Sequence, residues 1–368
     1  MIFDEFASGI SQICSYTPLA EERPLLWTII ANPRAGGFTI KSRWKKHQAM
    51  LDMCVQKAKM NSARKALSGP SLTALLEPKP TGLIATKAPL HAGEITTSLI
   101  KEASLTADFR EKKRPFYLII TSGGDGTSLE VMTSLFHAPE NIRRNFAVLR
   151  LPLGTGNDGA DAWDLDKALE HLIAVREIRY QRAVRLKTAS GKGPFLAFNI
   201  LSVGADAFVT HMTNKMKGKL PGDSYKLWID IAALFYDRIY KTGNMSVRSF
   251  DENGGLVKTF HEKLLLLAVG ESGKRTYGSH KWILPDERNI CAIKHVPLLG
   301  KFALKGQLYS GKHIEREEAI TWNAHAVEFS SEFPILAQMD GEAVLLETAD
   351  FPAIIELTEP VIPVLKKL

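Results

Sequence analysis

Phe116-Tyr117-Leu118-Ile119-Ile120-Thr121-Ser122-Gly123-Gly124-Asp125-Gly126-Thr127 runs an apolar stretch straight into a glycine-rich turn. Beyond it Leu129, Met132, Leu135 and Phe136 recur at helical spacing, so the segment predicts buried strand, glycine loop and amphipathic helix. Glycines let backbone N–H groups converge on an anion without a Cβ in the way, and the helix adds its unpaired N-terminal donors and positive dipole end. An aspartate within such a loop repels phosphates unless a divalent cation or a proton transfer intervenes. Asp125 therefore points to chemistry as well as docking.

A single turn of this kind is equally readable as structural. Two more follow the same plan. Leu26 to Ile30 is a short apolar strand pattern that ends in Ala31-Asn32-Pro33-Arg34-Ala35-Gly36-Gly37, and Phe146 to Leu151 ends in Pro152-Leu153-Gly154-Thr155-Gly156-Asn157-Asp158-Gly159. In an open parallel α/β sheet such loops gather at the carboxyl edge of the strands, where ligands bind at the switch in strand order. Three of them in one domain predict a nucleotide site.

What is missing narrows the chemistry. No loop ends in Gly-Lys-Ser/Thr, which excludes the P-loop. Gly154, Gly156 and Gly159 satisfy the dinucleotide spacing G-x-G-x-x-G, but that fingerprint needs an acidic residue about 20 positions later at the end of the next strand. The only nearby candidate, Glu177, opens the strand pattern Glu177 to Leu186 instead of closing it.

Asn32-Pro33-x-Ala35-Gly36, Gly123-Gly124-Asp125-Gly126-Thr127, Leu153-Gly154-Thr155-Gly156-Asn157-Asp158 and the downstream Gln338-Met339-Asp340-Gly341-Glu342 resemble the four signatures of the diacylglycerol kinase catalytic-domain family. That family includes bacterial lipid kinases and sphingosine kinases and is a distant relative of NAD kinases. The resemblance covers the chain from about Leu25 onward. Its discriminating element is the third signature, since the Gly-Gly-Asp-Gly loop is shared with NAD kinases. Thr86 with His91-Ala92 resembles a further family element, with Leu90 in place of glycine. Phe198-Asn199 and Gly204-Ala205-Asp206-Ala207 resemble the start of the family's second domain.

The resemblance implies an α/β nucleotide-binding domain with a Rossmann-like open sheet, followed by a C-terminal antiparallel β-sandwich, with the catalytic cleft between them. It implies ATP and Mg²⁺. Asn32, Arg34 and Thr86 would belong to the ATP pocket; Gly123, Gly124, Gly126 and Thr127 would hold the phosphates; Gly154, Thr155, Gly156, Asn157 and Asp158 would close over the nucleotide. Asp340 and Glu342 would meet the γ-phosphate and the acceptor hydroxyl. Phosphoryl transfer needs positioning, charge neutralisation and a carboxylate to accept the alcohol's proton, and Asp125 and Asp340 share that last role. Asp340-Gly341 also reads as the two-residue turn of a hairpin joining Phe333–Met339 to Ala343–Leu346. The two readings are compatible, because a tight turn is a rigid mount for a carboxylate.

Three departures stand out. Asp161 occupies a position where the family usually has arginine. Leu90 replaces a glycine. Asp286-Glu287-Arg288-Asn289-Ile290 lacks the glycine of the family's Asp-Asp-Gly-x-Leu turn, so no metal ligand is assigned.

A chain of 368 residues with ordinary apolar and charged fractions accommodates two domains. Cys14, Cys54 and Cys291 are odd in number and lack metal spacing, which fits a reduced, cytoplasmic setting. No apolar run reaches the length of a membrane span, and Asp4 and Glu5 argue against a secretory signal. The net charge of +7 is concentrated at Lys41 to Lys46, Lys57 to Lys65, Arg110 to Arg114 and Lys215 to Lys219. Without interleaved aromatics these clusters fit an anionic membrane surface, visited peripherally, better than nucleic acid.

The expected organisation is an N-terminal extension over 1–24, a kinase domain over 25–164 with a basic, then proline-rich insert at 50–80, and a lipid-substrate sandwich over 165–347. Residues 348–368 would return to the first domain. Within the sandwich, strands are expected at Arg179 to Lys187, Phe195 to Leu201, Met245 to Phe250, Thr259 to Val269 and Ala326 to Phe329, with one helix at Tyr225 to Tyr240. The expected function is ATP-dependent phosphorylation of a lipid hydroxyl, diacylglycerol first and a sphingoid base second. The alternatives are phosphorylation of a soluble dinucleotide and a nucleotide-gated, non-catalytic membrane-surface module.

Overall fold

The computed structural model describes residues 2–20, 24–67, 79–105, 114–175, 177–216, 235–278 and 280–366. The chain forms two units, one made of Met1–Gln181 with Pro360–Leu368 and the other of Arg182–Glu359.

Unit 1 runs α1 (Ile2–Cys14), β1 (Leu25–Ala31), α2 (Gly36–Thr39), α3 (Lys41–Leu67), β2 (Lys79–Ala85), α4 (His91–Leu105), β3 (Phe116–Gly123), α5 (Asp125–Phe136), α6 (Glu140–Arg143), β4 (Phe146–Pro152), α7 (Leu165–Ile173) and β5 (Glu177–Gln181). Unit 2 follows with β6 (Val184–Lys187), β7 (Phe195–Ala197), β8 (Ile200–Gly204), α8 (Ala205–Met216), β9 (Asn244–Phe250), β10 (Leu256–Gly270), β11 (Arg275–Tyr277), β12 (Lys281–Leu284), β13 (Ile290–Lys294) and α9 (Leu298–Ser310). It closes with β14 (Ala319–Trp322), β15 (Ala326–Ser331), β16 (Ile335–Met339), β17 (Glu342–Leu346) and β18 (Ala353–Leu357), after which β19 (Ile362–Lys366) rejoins unit 1.

The six-stranded sheet of unit 1 has the order β2-β1-β3-β4-β19-β5. Strands β1 to β4 and β19 are parallel, and β5 is antiparallel to β19. Every residue of β3 and β4 is buried, as strands covered on both faces require. Ile29, Leu118, Ile120, Ala147 and Leu149 pack with α1, α3 and α7 on one face. Their neighbours Ile30, Ile119 and Val148 point to the other face by strand alternation, and α4 and α5 pack against each other, with α5 also against β3.

Three expected boundaries shift. Residues 1–24 are not a simple extension: Phe6, Ile10 and Ile13 of α1 are fully buried, and the Phe6 ring meets Phe38 edge-on at 5.3 Å. The expected insert at 50–80 begins inside α3, whose Leu51, Cys54, Val55 and Ala58 belong to the core, and Pro80 lies in β2; residues 68–78 lie outside the described residues. The expected strand from Arg179 to Lys187 divides into β5 and β6, which belong to different units, so the divisions fall at Gln181/Arg182 and Glu359/Pro360 and not at 164/165 and 347/348.

Unit 2 is antiparallel. The 15-residue β10 pairs with β9 along its first half and with β8 and β13 along its second, linking two layers. The core between the layers takes Leu186, Val247, Phe329 and Ile355 from one and Val203, Leu267 and Ala337 from the other. This is the expected sandwich. Beyond its second layer lie two helices that the strand-dominated reading of the sequence omits, α8 and α9, with the β11–β12 hairpin. They form a further core around Phe208, Ile283 and Leu304. Of the helix expected at Tyr225 to Tyr240, residues 225–234 lie outside the described residues, and Tyr236–Ile239 is a helical turn.

Candidate active site

The strand order places the topological switch between β1 and β3, because the chain leaves β1 for β2 on one side and returns to β3 on the other. The loops after β1, β3 and β4 meet at that edge. Asn32 N–H donates to Ser122 O at 2.9 Å, and Gly37 N–H donates to Leu153 O at 2.8 Å. A Cβ on Gly154 would stand 2.4 Å from Gly124 Cα, so the second and third loops touch backbone to backbone and only glycine fits. Thr86 follows β2, and its N–H donates to Ala31 O at 2.8 Å.

These contacts gather Asn32, Thr86, Gly123, Gly124, Gly154 and their neighbours at one edge of unit 1. Gly124 is the N-cap of α5 and provides no side-chain cap; its carbonyl accepts from Thr127 N–H at 3.1 Å and Ser128 N–H at 3.4 Å, and Gly126 N–H is the first-turn donor placed to meet an anion. Gly126 and Thr127 lie in that first turn. Asp125 Oδ1 accepts from Gly159 N–H at 2.9 Å. Asp125 Oδ2 and Asp158 Oδ2 lie 3.1 Å and 3.4 Å from where a Cβ of Gly156 would stand, so two carboxylates flank that glycine.

Asn157 adopts φ 60° and donates through Nδ2 to Pro152 O and Gly154 O, shaping the third loop. Its Oδ1 and the Ser122 hydroxyl are buried polar atoms without a hydrogen-bond partner. Thr155 is exposed on the same loop, and Arg34 is an exposed cation on the first, where its N–H donates to Asn32 Oδ1 at 2.9 Å.

Asp161, the departure from the family arginine, has a clear use. Its carboxylate accepts from Arg150 N–H at 2.7 Å, Nε at 3.2 Å and Nη2 at 2.7 Å, with both side chains buried. Arg150 Nη2 also donates to Gln181 Oε1 at 3.2 Å. The third loop is thereby tied back to β4 and β5 by an ion pair inside the fold.

Sequence reasoning missed three neighbours of the cradle. Arg43 Nη1 lies 2.9 Å from the Cβ position of Gly36, and the His47 ring lies 3.0 Å from that of Gly37. Burial holds the His47 pKa below its ordinary value. Arg43 sits in the basic cluster Lys41 to Lys46, read only as surface charge, and His47 directly follows it. Glu130 of α5 accepts from Leu90 N–H at 2.8 Å, Ala92 N–H at 3.0 Å and Gly93 N–H at 3.4 Å, capping α4. Leu90 has φ 69°, the left-handed conformation that suits the glycine it replaces.

In unit 2, Asp340 and Gly341 have φ 46° and 103° and join β16 to β17 directly, as the two-residue hairpin requires. The Asp340 carboxylate accepts from the backbone N–H groups of Phe198, Asn199 and Ile200. It anchors the hairpin to the start of β8, a structural use not expected for a residue assigned a share of proton acceptance. Glu342 is exposed at the start of β17.

Asp206 is an acid of this unit for which the sequence suggests no role. It caps the start of α8, accepting from Ala207 N–H at 2.9 Å and from the Ser202 hydroxyl, and burial raises its pKa to about 6. It lines a cavity of about 130 Å³ walled by Val209, Leu265, Leu266, Ile283, Ile293 and Leu304, with Lys281, Lys301 and Lys305 also in the lining. In the Asp286–Ile290 turn, Arg288 Nε donates to Asp286 Oδ2 at 2.8 Å, and this pairing holds the carboxyl below the usual range. Among the described residues, no cluster of three or more His, Cys, Asp or Glu side chains is arranged to hold a metal ion.

Residues 26–190 match the family model of the diacylglycerol kinase catalytic domain. This segment belongs to that family. "Probable lipid kinase YegS-like" proteins of Yersinia enterocolitica and Yersinia pestis are 33% and 34% identical over 108 and 110 residues, each match covering 29% of this chain and 35% of the relative. The chain thus aligns with about a third of the length of these curated relatives. Two solved structures from Bacillus anthracis, one of them named a diacylglycerol kinase, share the fold with TM-scores of 0.57 and 0.52 at 16% identity. They cover 94% of this chain and 96% and 97% of their own chains. The family match contains all three glycine loops and Asp161.

Proposed function

We propose that the chain is an ATP-dependent lipid kinase that phosphorylates a lipid hydroxyl, with a diacylglycerol-type acceptor first. The observation that carries this reading is the Gly124–Gly154 backbone contact at the uncapped start of α5, flanked by Asp125 and Asp158. The residues fit a nucleotide: the Gly126 N–H and the positive end of α5 suit phosphate oxygens, and the unpartnered Asn157 Oδ1 and Ser122 hydroxyl remain for polar contact. They fit Mg²⁺ in the way this ion binds with nucleotides, through one or two carboxylates and the phosphates instead of a protein cage.

When bound, MgATP supplies the phosphoryl group and the charge neutralisation its transfer requires. The chain's own residues orient the groups. The cradle would hold the phosphates and Asp158 would help to hold the cation, while Asp125 would take the proton from the acceptor oxygen as that oxygen bonds to phosphorus and ADP departs. Asp125 is preferred to Asp340 for this step because Asp340 is committed to three backbone donors. The apolar cavity beside Asp206 supports a lipid over a soluble dinucleotide as acceptor.

The test is transfer from γ-labelled ATP to a panel of diacylglycerol, sphingosine, monoacylglycerol, phosphatidylglycerol and NAD. Label in a lipid product is expected. Label in the dinucleotide alone, or tight ATP binding without transfer to any member, would overturn the lipid-kinase reading.

A further inference from the structure

The basic residues of α3 divide by what they meet. Lys46 pairs with Asp164 at 3.1 Å and Lys57 with Glu170 at 2.6 Å, which ties α3 to the start and middle of α7. Lys41 and Lys45 are exposed. Arg43 does neither: it is half-buried, and among the described residues it forms no ion pair. Its guanidinium lies against the first glycine loop, with Nη1 2.9 Å from where a Cβ of Gly36 would stand. Thr155 Oγ1 of the third loop closes on the same point, at 3.8 Å. A methyl group there would displace the guanidinium, so glycine at 36 leaves Arg43 its place.

The backbone beneath is tied across the two loops, since Gly37 N–H donates to Leu153 O at 2.8 Å. The His47 ring, one helical turn after Arg43, lies 3.0 Å from the Cβ position of Gly37. Arg43 is therefore held at the seam between the first and third loops. Gly156, directly after Thr155, is the glycine flanked by the carboxylates of Asp125 and Asp158. Those acids are the base and cation ligand of the reading above, so the third loop marks the reacting end of the nucleotide. A triphosphate brought there meets carboxylates, and its charge needs positive partners besides the cation. A guanidinium suits that place because its fork of N–H donors matches phosphate oxygens two at a time. Arg34, also on the first loop, is exposed; of the two, Arg43 is the one set against the seam.

We propose that Arg43 is a phosphate-binding residue that contacts the terminal phosphate of the nucleotide donor and sets the preference for a triphosphate over shorter nucleotides. This inference rests on the reading of the cradle as a nucleotide site and adds to it the side chain that recognises the group to be transferred. It takes Arg43 out of the basic surface read from the sequence.

The experiment is calorimetric titration of the full chain with ATP, ADP and AMP in the presence of Mg²⁺, for the wild type, Arg43→Gln, Arg43→Lys and Lys45→Gln. Arg43→Gln is expected to weaken ATP binding at least about tenfold, through loss of a charge-assisted phosphate contact, and AMP binding by less than about twofold. Arg43→Lys should recover part of the ATP affinity, because it keeps the charge without the fork. Lys45→Gln removes the same charge from the same basic cluster and should bind all three nucleotides as the wild type does. A merely structural role for Arg43 would weaken the three alike, so equal losses would overturn the proposal. So would an Arg43→Gln variant that binds ATP as the wild type does, or a Lys45→Gln variant that loses ATP as strongly as Arg43→Gln. A wild type that binds ATP yet transfers to no acceptor would overturn the kinase reading, while the ATP-to-AMP ratio still decides the role of Arg43. A wild type that binds no nucleotide would overturn the cradle reading and the proposal with it.

Discussion

At the scale of single residues, Asp161 and Asp206 show how a charge inside the fold acquires a purpose. Replacing Asp161 by asparagine leaves the buried Arg150 without its counter-charge, which should cost about 3–5 kcal/mol in urea unfolding. Arg150→Met/Asp161→Leu should recover most of that loss, since an apolar pair leaves no unpaired charge. Asp206 predicts a pH dependence. Its folded pKa of about 6 stands above the unfolded value of 3.8, so the ionised form is disfavoured by folding. The penalty is absent below the unfolded value, grows as pH rises, and is complete above the folded one. Asp206→Asn should therefore be the more stable form at pH 7 to 8, with its advantage of roughly 1–3 kcal/mol closing below about pH 4. Thermal melts of both proteins across that range check the sign. The Arg150–Asp161 partnership was not legible in the sequence, because charge pairing between a strand and the far end of a loop follows from the folded path and from no local spacing.

At the scale of elements, glycine and hairpin geometry separate what binds from what holds. Gly154→Ala places a methyl group where Gly124 Cα already stands, so the two loops must part and ATP affinity should fall at least about tenfold, with fold stability changing by only about 1–2 kcal/mol. Calorimetric titration with ATP and a denaturant melt distinguish the two effects. Asp340→Asn turns an amide group toward backbone donors that a carboxylate now accepts, and should lower stability by about 2–3 kcal/mol whatever it does to turnover. The three glycine loops were legible because parallel strands buried on both faces read as apolar runs and close backbone contacts require glycine. Helices α8 and α9 were not. The apolar residues of α9 divide between the cavity and the outer surface, so no single stripe marks the helix.

At the scale of the molecule, β19 enters the sheet of unit 1 between β4 and β5, so that unit is completed only after the whole of unit 2 has been passed. The return of the last residues was expected, whereas the division after β5 was not, since β5 and β6 form one continuous strand pattern in the sequence. The catalytic assignment depends on unit 1's cradle and on Asp125 within it. The most direct test is single-turnover transfer from γ-labelled ATP to diacylglycerol, comparing the wild type with Asp125→Asn at equal ATP occupancy. The account predicts labelled phosphatidic acid from the wild type and a rate at least about 100-fold lower from the variant, with the fold unchanged by circular dichroism. Transfer by Asp125→Asn at the wild-type rate would contradict it.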